Sequence, residues 1–379
     1  MPAHQGGIPV YNHNLIKTLS EKIDFNVISL INNENKNYYD SILIPFHQVK
    51  SVNPIWSVLS KINYLKRINR YYSDIIISKN MAKWLIKIKP DIAEFMDIHS
   101  ESLFFIKQKK ENNLDTKIII RSHTPLGLLK MTYKKEELSI VDSMNSFRNE
   151  KFCFENSDFI TVPSADLKKQ INTIYNISAK KIHVLPNIVD TTFFKKYKQR
   201  NKRKKNITLL HVGRFERAKG VETLIKSFII LCKKSYDISL ISIGEPRGDS
   251  YIKCLDLLKR EDLLHKVNFT GFVENNALPK YYNKSDIVIV PSEIYESFSY
   301  TVAQGMACTK PVIASNIGGI PETLNHGDCG LLFSPGNVED LTEKIENLYF
   351  NSELRIELAR KARAYCESKF SIDSMKSQY

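Results

Sequence analysis

The chain has 379 residues, an apolar share of 42% and a formal net charge of +14. That length exceeds one ordinary core and fits two domains. It shows no ~20-residue apolar run of a membrane helix, no apolar stretch behind Met1 of the signal-peptide kind, and six cysteines without a C-x2-C pair, which argues against zinc and thioredoxin chemistry and makes a reduced, cytoplasmic setting the expectation. The positive charge calls for an anionic partner, among them nucleotide diphosphates, acidic lipids, acidic glycans and nucleic acid.

From the N terminus onward, short runs rich in β-branched residues alternate with helical patterns. FNVISLI, SILIP, DIIIS, KIIIRSH, DFITVPS and KIHVLPN are the predicted strands of the first half, and a further strand ends at Asp97 and His99 in EFMDIHSE. The basic block KKYKQRNKRKK lies within residues 195–206, which read as a linker. Beyond it ITLLHVG, ISLISIG, KVNFTGF, DIVIVPS and PVIAS are predicted strands. Val221, Leu224, Ile225 and Phe228 in GVETLIKSFII fall at i, i+3, i+4, i+7 and form one apolar helical stripe. Such alternation predicts an α/β protein with parallel sheets covered by helices. We expect two Rossmann-like domains, residues 1–194 and 207–365, with 366–379 opening a C-terminal helix. Ligands gather at the carboxyl ends of such strands.

Two loops in the second half carry chemistry. In PSEIYESFSYTVAQGMACTKPVIASNIGGIPE, Glu296 is predicted to sit where a helix begins, followed by the amides of Ser297, Phe298 and Ser299. Unpaired N–H groups and a partial positive charge at a helix start suit a phosphate, and a carboxylate suits sugar hydroxyls. Taken alone, the same carboxylate reads first as a stabiliser of the first helical turn. In VGRFERAKG, Gly213 allows a tight turn, Arg214 offers a planar fork to phosphate oxygens and Lys219 adds a point charge. By itself that loop is also an ordinary exposed basic loop.

GRFERAKG, the Glu296 segment and PVIAS…GGIPE, in that order, resemble family 4 of the retaining glycosyltransferases, with the GT-B fold of two Rossmann-like domains facing across a cleft. The resemblance extends over nearly the whole chain through GGIPVYNHNLIKTLSEK, RSHTP and HVLPNIVDTTFF. It implies that Arg214 and Lys219 bind the donor's diphosphate and that Glu296 contacts the sugar. The family's Glu-x7-Glu pattern falls on Glu296 and Gln304; the second position grips the ribose hydroxyls, and an amide there lacks the charge that strengthens such bonds. Gly244 and Glu245 resemble the turn lining the nucleobase pocket, and Gly6 and Gly7 the family's Gly-Gly loop near the donor phosphate. Gly318 and Gly319 mark a close backbone approach ahead of Glu322. His123 matches the family's cleft histidine near the transferred sugar and the acceptor. From its own position Arg121 reads either as structural or as meeting an anionic acceptor, and Asp97 and His99 at a strand end are acceptor-side candidates. Members normally begin with a strand ahead of the Gly-Gly loop and end with a helix that runs on, so a first strand and more of the last helix are expected outside this chain.

The resemblance implies transfer of a sugar from a nucleoside diphosphate donor with retention, in surface polysaccharide or glycoconjugate biosynthesis. No D-x-D occurs, so neither a metal clamp nor any cofactor beyond the nucleotide-sugar co-substrate is expected. The acceptor would be a glycan or a lipid-linked molecule. KINYLKRINRYYSD suits a peripheral contact with an anionic membrane as well as it suits a nucleic acid; no nucleic-acid partner is expected. Two alternatives stay open: a non-catalytic glycosyltransferase-like scaffold subunit, and a nucleotide-sugar epimerase.

Overall fold

The computed structural model describes residues 7–30, 46–49, 63–97, 100–132, 140–197 and 206–378. They divide into two units, Leu19–Leu185 and Pro186–Tyr379, the second including Val10–Thr18 of the first helix.

Helix α1 (Gly7–Leu19) buries Tyr11, Asn14, Leu15 and Thr18, which recur at i, i+3, i+4, i+7. Asn14 Nδ2 donates to the Ile188 carbonyl at 2.7 Å and Lys17 pairs with Asp190 at 2.5 Å, so this helix is tied to the second unit.

In the first unit, β1 (Val27–Leu30) pairs in parallel with β2 (Phe46–Val49). Helix α2 (Asn63–Ile88) follows. It contains DIIIS, which the local run of β-branched residues marks as a strand. Here helical period wins over local propensity: Ile77, Met81 and Leu85 lie four residues apart and are all buried. A parallel four-stranded sheet has the order β3 (Ile92–Met96), β4 (Lys117–Arg121), β5 (Phe159–Val162), β6 (Ile182–Val184). Its helices are α3 (Leu103–Lys109), α4 (Leu126–Thr132), α5 (Ile140–Asn156) and α6 (Ala165–Tyr175). Leu85, Phe95, Phe105 and Ile118 form one core between α2, α3 and this sheet. SILIP, Gly6, His99 and most of the basic linker lie outside the described residues.

The second unit is built on a parallel six-stranded sheet. Its strands are β7 (Ile207–Val212), β8 (Ile238–Ile243), β9 (Val267–Gly271), β10 (Ile287–Val290), β11 (Val312–Ser315) and β12 (Leu331–Phe333), in the spatial order β12-β11-β10-β7-β8-β9. The helices include α7 (Val221–Lys233), α8 (Asp249–Arg260), α9 (Leu278–Lys284), α10 (Tyr300–Ala307), α11 (Ile320–Thr323), α12 (Val338–Phe350) and α13 (Ser352–Phe370). Both faces are covered: Leu209, Ile287 and Ile313 join one core, while Leu210, Val288 and Val312 join the other. That is why these strands read as unbroken apolar runs rather than as alternating ones. The chain leaves β7 toward β8 and β9 on one side and returns on the other side as β10. The carboxyl ends of β7 and β10 therefore flank the topological switch point, where open α/β sheets bind ligands.

Candidate functional site

The loops leaving β7 and β10 meet at this switch point. After β7, a single 3-10 turn spans Arg217–Lys219 and closes on Gly220, whose φ of 61° is left-handed. A Cβ on Gly220 would lie 1.7 Å from the Pro291 carbonyl oxygen, so glycine alone lets the two loops touch. The Glu293 N–H donates to the Ala218 carbonyl at 3.0 Å and holds the contact. Thr223 Oγ1 adds a bond to Glu293 Oε1 at 2.6 Å.

This docking sets Lys219 against Glu296. The Lys219 ammonium is ion-paired with Glu296 Oε1, and Ser292 Oγ donates to Oε2 at 2.8 Å. The Glu296 backbone is clamped from the other side. Its carbonyl accepts the Gly319 N–H at 2.8 Å, and Gly318, at φ 57°, passes so close that a Cβ there would sit 2.4 Å from the same oxygen. The GGIPE loop thus acts on Glu296 itself.

His211, Val212, Lys219, Ser292, Glu296 and Thr301 line a shallow pocket. His211, Ser292 and Thr301 are members that sequence reasoning misses. His211 is 2% exposed, and its Nδ1 lies 3.0 Å from Ser242 Oγ, its register partner on β8. Burial, with the neighbouring Lys219 cation, brings its pKa down to about 4, so it is a neutral imidazole. A polar residue near the end of an otherwise apolar strand was the available signal. Thr301 Oγ1 donates to the Val212 carbonyl at 3.2 Å.

The other candidates occupy different settings. Helix α10 starts at Tyr300, later than the Glu296 position read from sequence. Ser299 is its N-cap, with extended backbone and a hydroxyl that accepts the Val302 N–H. Ser297 and Phe298 precede the cap and are buried, Phe298 packing edge-on against Tyr300 and Phe370. Arg214 is largely exposed, pairs with Glu216 at 2.9 Å and is not one of the residues lining the pocket. Gly213 and Gly244 lie back to back: their N–H groups bond to Ile243 and Gly271, and a Cβ on Gly244 would meet the Gly213 carbonyl at 2.1 Å. Glu245 pairs with Arg247 at 3.0 Å. Gln304 is buried, and its Oε1 accepts the Tyr282 hydroxyl at 3.0 Å. Gly7 is the exposed first residue of α1.

In the first unit, His123 follows β4. Burial, with the nearby Arg121 cation, lowers its pKa well below the ordinary value, leaving it neutral. Arg121 is fully buried, and its Nη1 donates to the Leu185 carbonyl at 2.8 Å. Asp97 accepts from Ser122 Oγ at 2.6 Å and from the His123 N–H at 3.2 Å.

Two parallel-sheet α/β units, with a cation and a carboxylate joined at the switch point of the second, define a protein of the GT-B glycosyltransferase class. The chain belongs to the glycosyltransferases of family 4: residues 5–193 match the model "Glycosyltransferase Family 4" and residues 192–365 match "Glycosyl transferases group 1". It is 27% identical over 250 residues to N-acetyl-alpha-D-glucosaminyl L-malate synthase of Bacillus anthracis, an alignment covering 64% of each chain. It is 29% identical over 378 residues to an uncharacterized glycosyltransferase of Methanocaldococcus jannaschii, covering 97% of this chain and 91% of that one. Its fold is similar to that of Anabaena HepE, solved in complex with UDP and glucose, at a TM-score of 0.75 and 18% identity over 99% of this chain and 95% of HepE.

Proposed function

We propose that the chain moves a sugar from a nucleoside diphosphate sugar to an acceptor hydroxyl with retention at the anomeric carbon, without a divalent ion. The observation that carries this reading is the Lys219–Glu296 pair at the β7/β10 switch point. A cation there neutralises the departing diphosphate, and the carboxylate beside it accepts sugar hydroxyls. Arg214 supplies a second cation once it leaves Glu216, and the start of α10 beyond Ser299 adds its dipole. The bond from the anomeric carbon to the diphosphate oxygen breaks, the acceptor oxygen bonds that carbon on the same face, and the acceptor's proton passes to the leaving phosphate. Neutral His123 hydrogen-bonds a hydroxyl during this step. Gly7, Gly213, Gly244, Ser297, Phe298, Ser299 and Gln304 complete the donor side.

The likeness to HepE makes UDP the first base to test. We place the acceptor among glycans or lipid-linked precursors of surface polysaccharides and glycoconjugates. Among the described residues no helix is long and apolar enough to cross a membrane. The mixed basic and aromatic stretch NYLKRINRYYSD that opens helix α2 is where we place a peripheral contact with an anionic membrane face. One observation favours a second reading, a non-catalytic scaffold: the Gln304 carbonyl is already engaged by Tyr282. A panel of UDP- and GDP-sugars incubated with the protein in EDTA separates the two. Hydrolysis or transfer from at least one donor is expected; a panel untouched at any protein concentration, with no thermal shift, would leave only the scaffold.

A further inference from the structure

Segment Ser122–Gly127 leaves the carboxyl end of β4, carries His123 and enters α4. Two buried carboxylates hold it at opposite ends. At the front, Asp97 Oδ2 accepts the Ser122 hydroxyl at 2.6 Å and the His123 N–H at 3.2 Å, while its buried Oδ1 has no hydrogen-bond partner. At the rear, Glu150 of α5 accepts the Leu126 N–H on Oε1 at 2.6 Å and the Gly127 N–H on Oε2 at 3.1 Å. The Tyr175 hydroxyl of α6 also donates to Oε2, at 2.5 Å.

Tyr175 is itself fixed. Its ring stacks on Phe147 at 4.8 Å and meets Phe154 edge-on at 5.1 Å. A Cβ on Gly127 would lie 2.4 Å from its hydroxyl oxygen, so glycine is what admits the phenol. Burying a carboxylate is costly unless its oxygens are satisfied. Burial pushes Asp97 up to about 6 and Glu150 up to about 7. That cost is taken twice around one six-residue stretch, and Ser122, His123, Leu126 and Gly127 of that stretch all donate to the two carboxylates.

We propose that Asp97 and Glu150 are positioning residues for the transfer reaction, gripping Ser122–Gly127 from both ends so that His123 is presented in a single orientation. The inference rests on the reading of His123 given above. The hydrogen bonds make the two carboxylates differ in which conservative variant can replace them. The Ser122 and His123 bonds to Asp97 fall on one oxygen, whose place an asparagine carbonyl can take. The bonds to Glu150 are split over both oxygens, so a glutamine can satisfy only one side.

The test compares Asp97→Asn, Asp97→Ala and Glu150→Gln, each alone and combined with His123→Ala, with two readouts. One is hydrogen exchange at the amides of residues 123, 126 and 127. The other is kcat and KM for UDP-glucose hydrolysis, or for whichever UDP- or GDP-sugar of the panel the native protein turns over fastest. Asp97→Ala and Glu150→Gln should speed exchange in the segment and lower kcat by up to about 10²-fold, the effect of a misplaced group, at nearly constant KM. Asp97→Asn should stay near the native protein in both, and combining Asp97→Ala or Glu150→Gln with His123→Ala should cost no more than His123→Ala alone. Should Asp97→Ala not fold, Glu150→Gln decides. Unchanged exchange in Asp97→Ala and Glu150→Gln overturns the grip. Losses that add to that of His123→Ala, or equal behaviour of Asp97→Asn and Asp97→Ala, overturn the positioning role. Full activity of His123→Ala removes the His123 reading, and with it the positioning role, whereas faster exchange would still uphold the grip.

Discussion

The Lys219 ammonium and the Glu296 carboxylate, 77 residues apart in sequence, are ion-paired at the mouth of the β7/β10 switch point. Each keeps unused capacity for a ligand, since an ammonium has three donors and a carboxylate two accepting oxygens, and both side chains are partly exposed. On the proposed reading a bound diphosphate gives Lys219 a second anionic partner and leaves Glu296 for the sugar hydroxyls. Lys219→Met should lower turnover by about 10²–10³, the usual cost of losing a charge aimed at a developing anion. It should lower stability by only about 1–2 kcal/mol, because both side chains are partly exposed and Ser292 still bonds Glu296. Steady-state kinetics and denaturant unfolding on one variant check both numbers.

Gly318 tests whether the GGIPE loop acts through Glu296. Gly318→Ala places a Cβ 2.4 Å from the Glu296 carbonyl in a left-handed conformation, and should cost about 2–4 kcal/mol with a matching loss of UDP affinity. Gly327→Ala is the control. It shares a positive φ, but its Cβ meets nothing within 4 Å, so it should cost about 1–2 kcal/mol and leave UDP affinity unchanged. Thermal melts with and without UDP distinguish the two.

Much of the second unit was legible in the sequence because β7, β10 and β11 are buried on both faces and are bounded by glycine, proline and serine. Lys219 and Glu296 were legible as types at loop ends. Their pairing was not, since it depends on Gly220 docking against Pro291. His211 was missed because its partner Ser242 lies across a strand register that composition does not reveal. DIIIS misled because three consecutive isoleucines outweigh helical period in a short window. The start of α10 was placed early because Ser299, rather than Glu296, supplies the cap. FHQV of β2 and LLF of β12 are too short to stand out as strands.

The pH dependence of stability follows from Asp97. Its folded pKa is raised from 3.8 to about 6, so between those values the folded state holds a proton that the unfolded state has lost. The associated stability is complete below pH 3.8 and is lost as pH rises through about 6, at most about 3 kcal/mol. Glu150, raised from 4.5 to about 7, acts with the same sign. Urea unfolding of Asp97→Asn, followed from pH 4.5 to 7.5, should show a flatter profile than the native protein. A steeper one would contradict the assignment.

Gln304 is the position at which a carboxylate would be expected to hold ribose hydroxyls. Gln304→Glu keeps an acceptor for the Tyr282 hydroxyl and adds charge, so it should tighten UDP binding by about 5- to 10-fold, the value of one charge-assisted bond of about 1 kcal/mol. Competition against a fluorescent UDP analogue measures this, and weaker binding would place the ribose elsewhere.

The most direct measurement of the central claim is calorimetric titration of UDP and GDP in EDTA into the native protein, Lys219→Ala and Glu296→Gln. The account predicts saturable one-to-one binding of one nucleotide to the native protein, at least about 10-fold weaker to Lys219→Ala. It predicts little change for Glu296→Gln with the free nucleotide but a marked loss with the matching sugar nucleotide. Binding of equal strength to the native protein and Lys219→Ala, or no binding of either nucleotide, would contradict it.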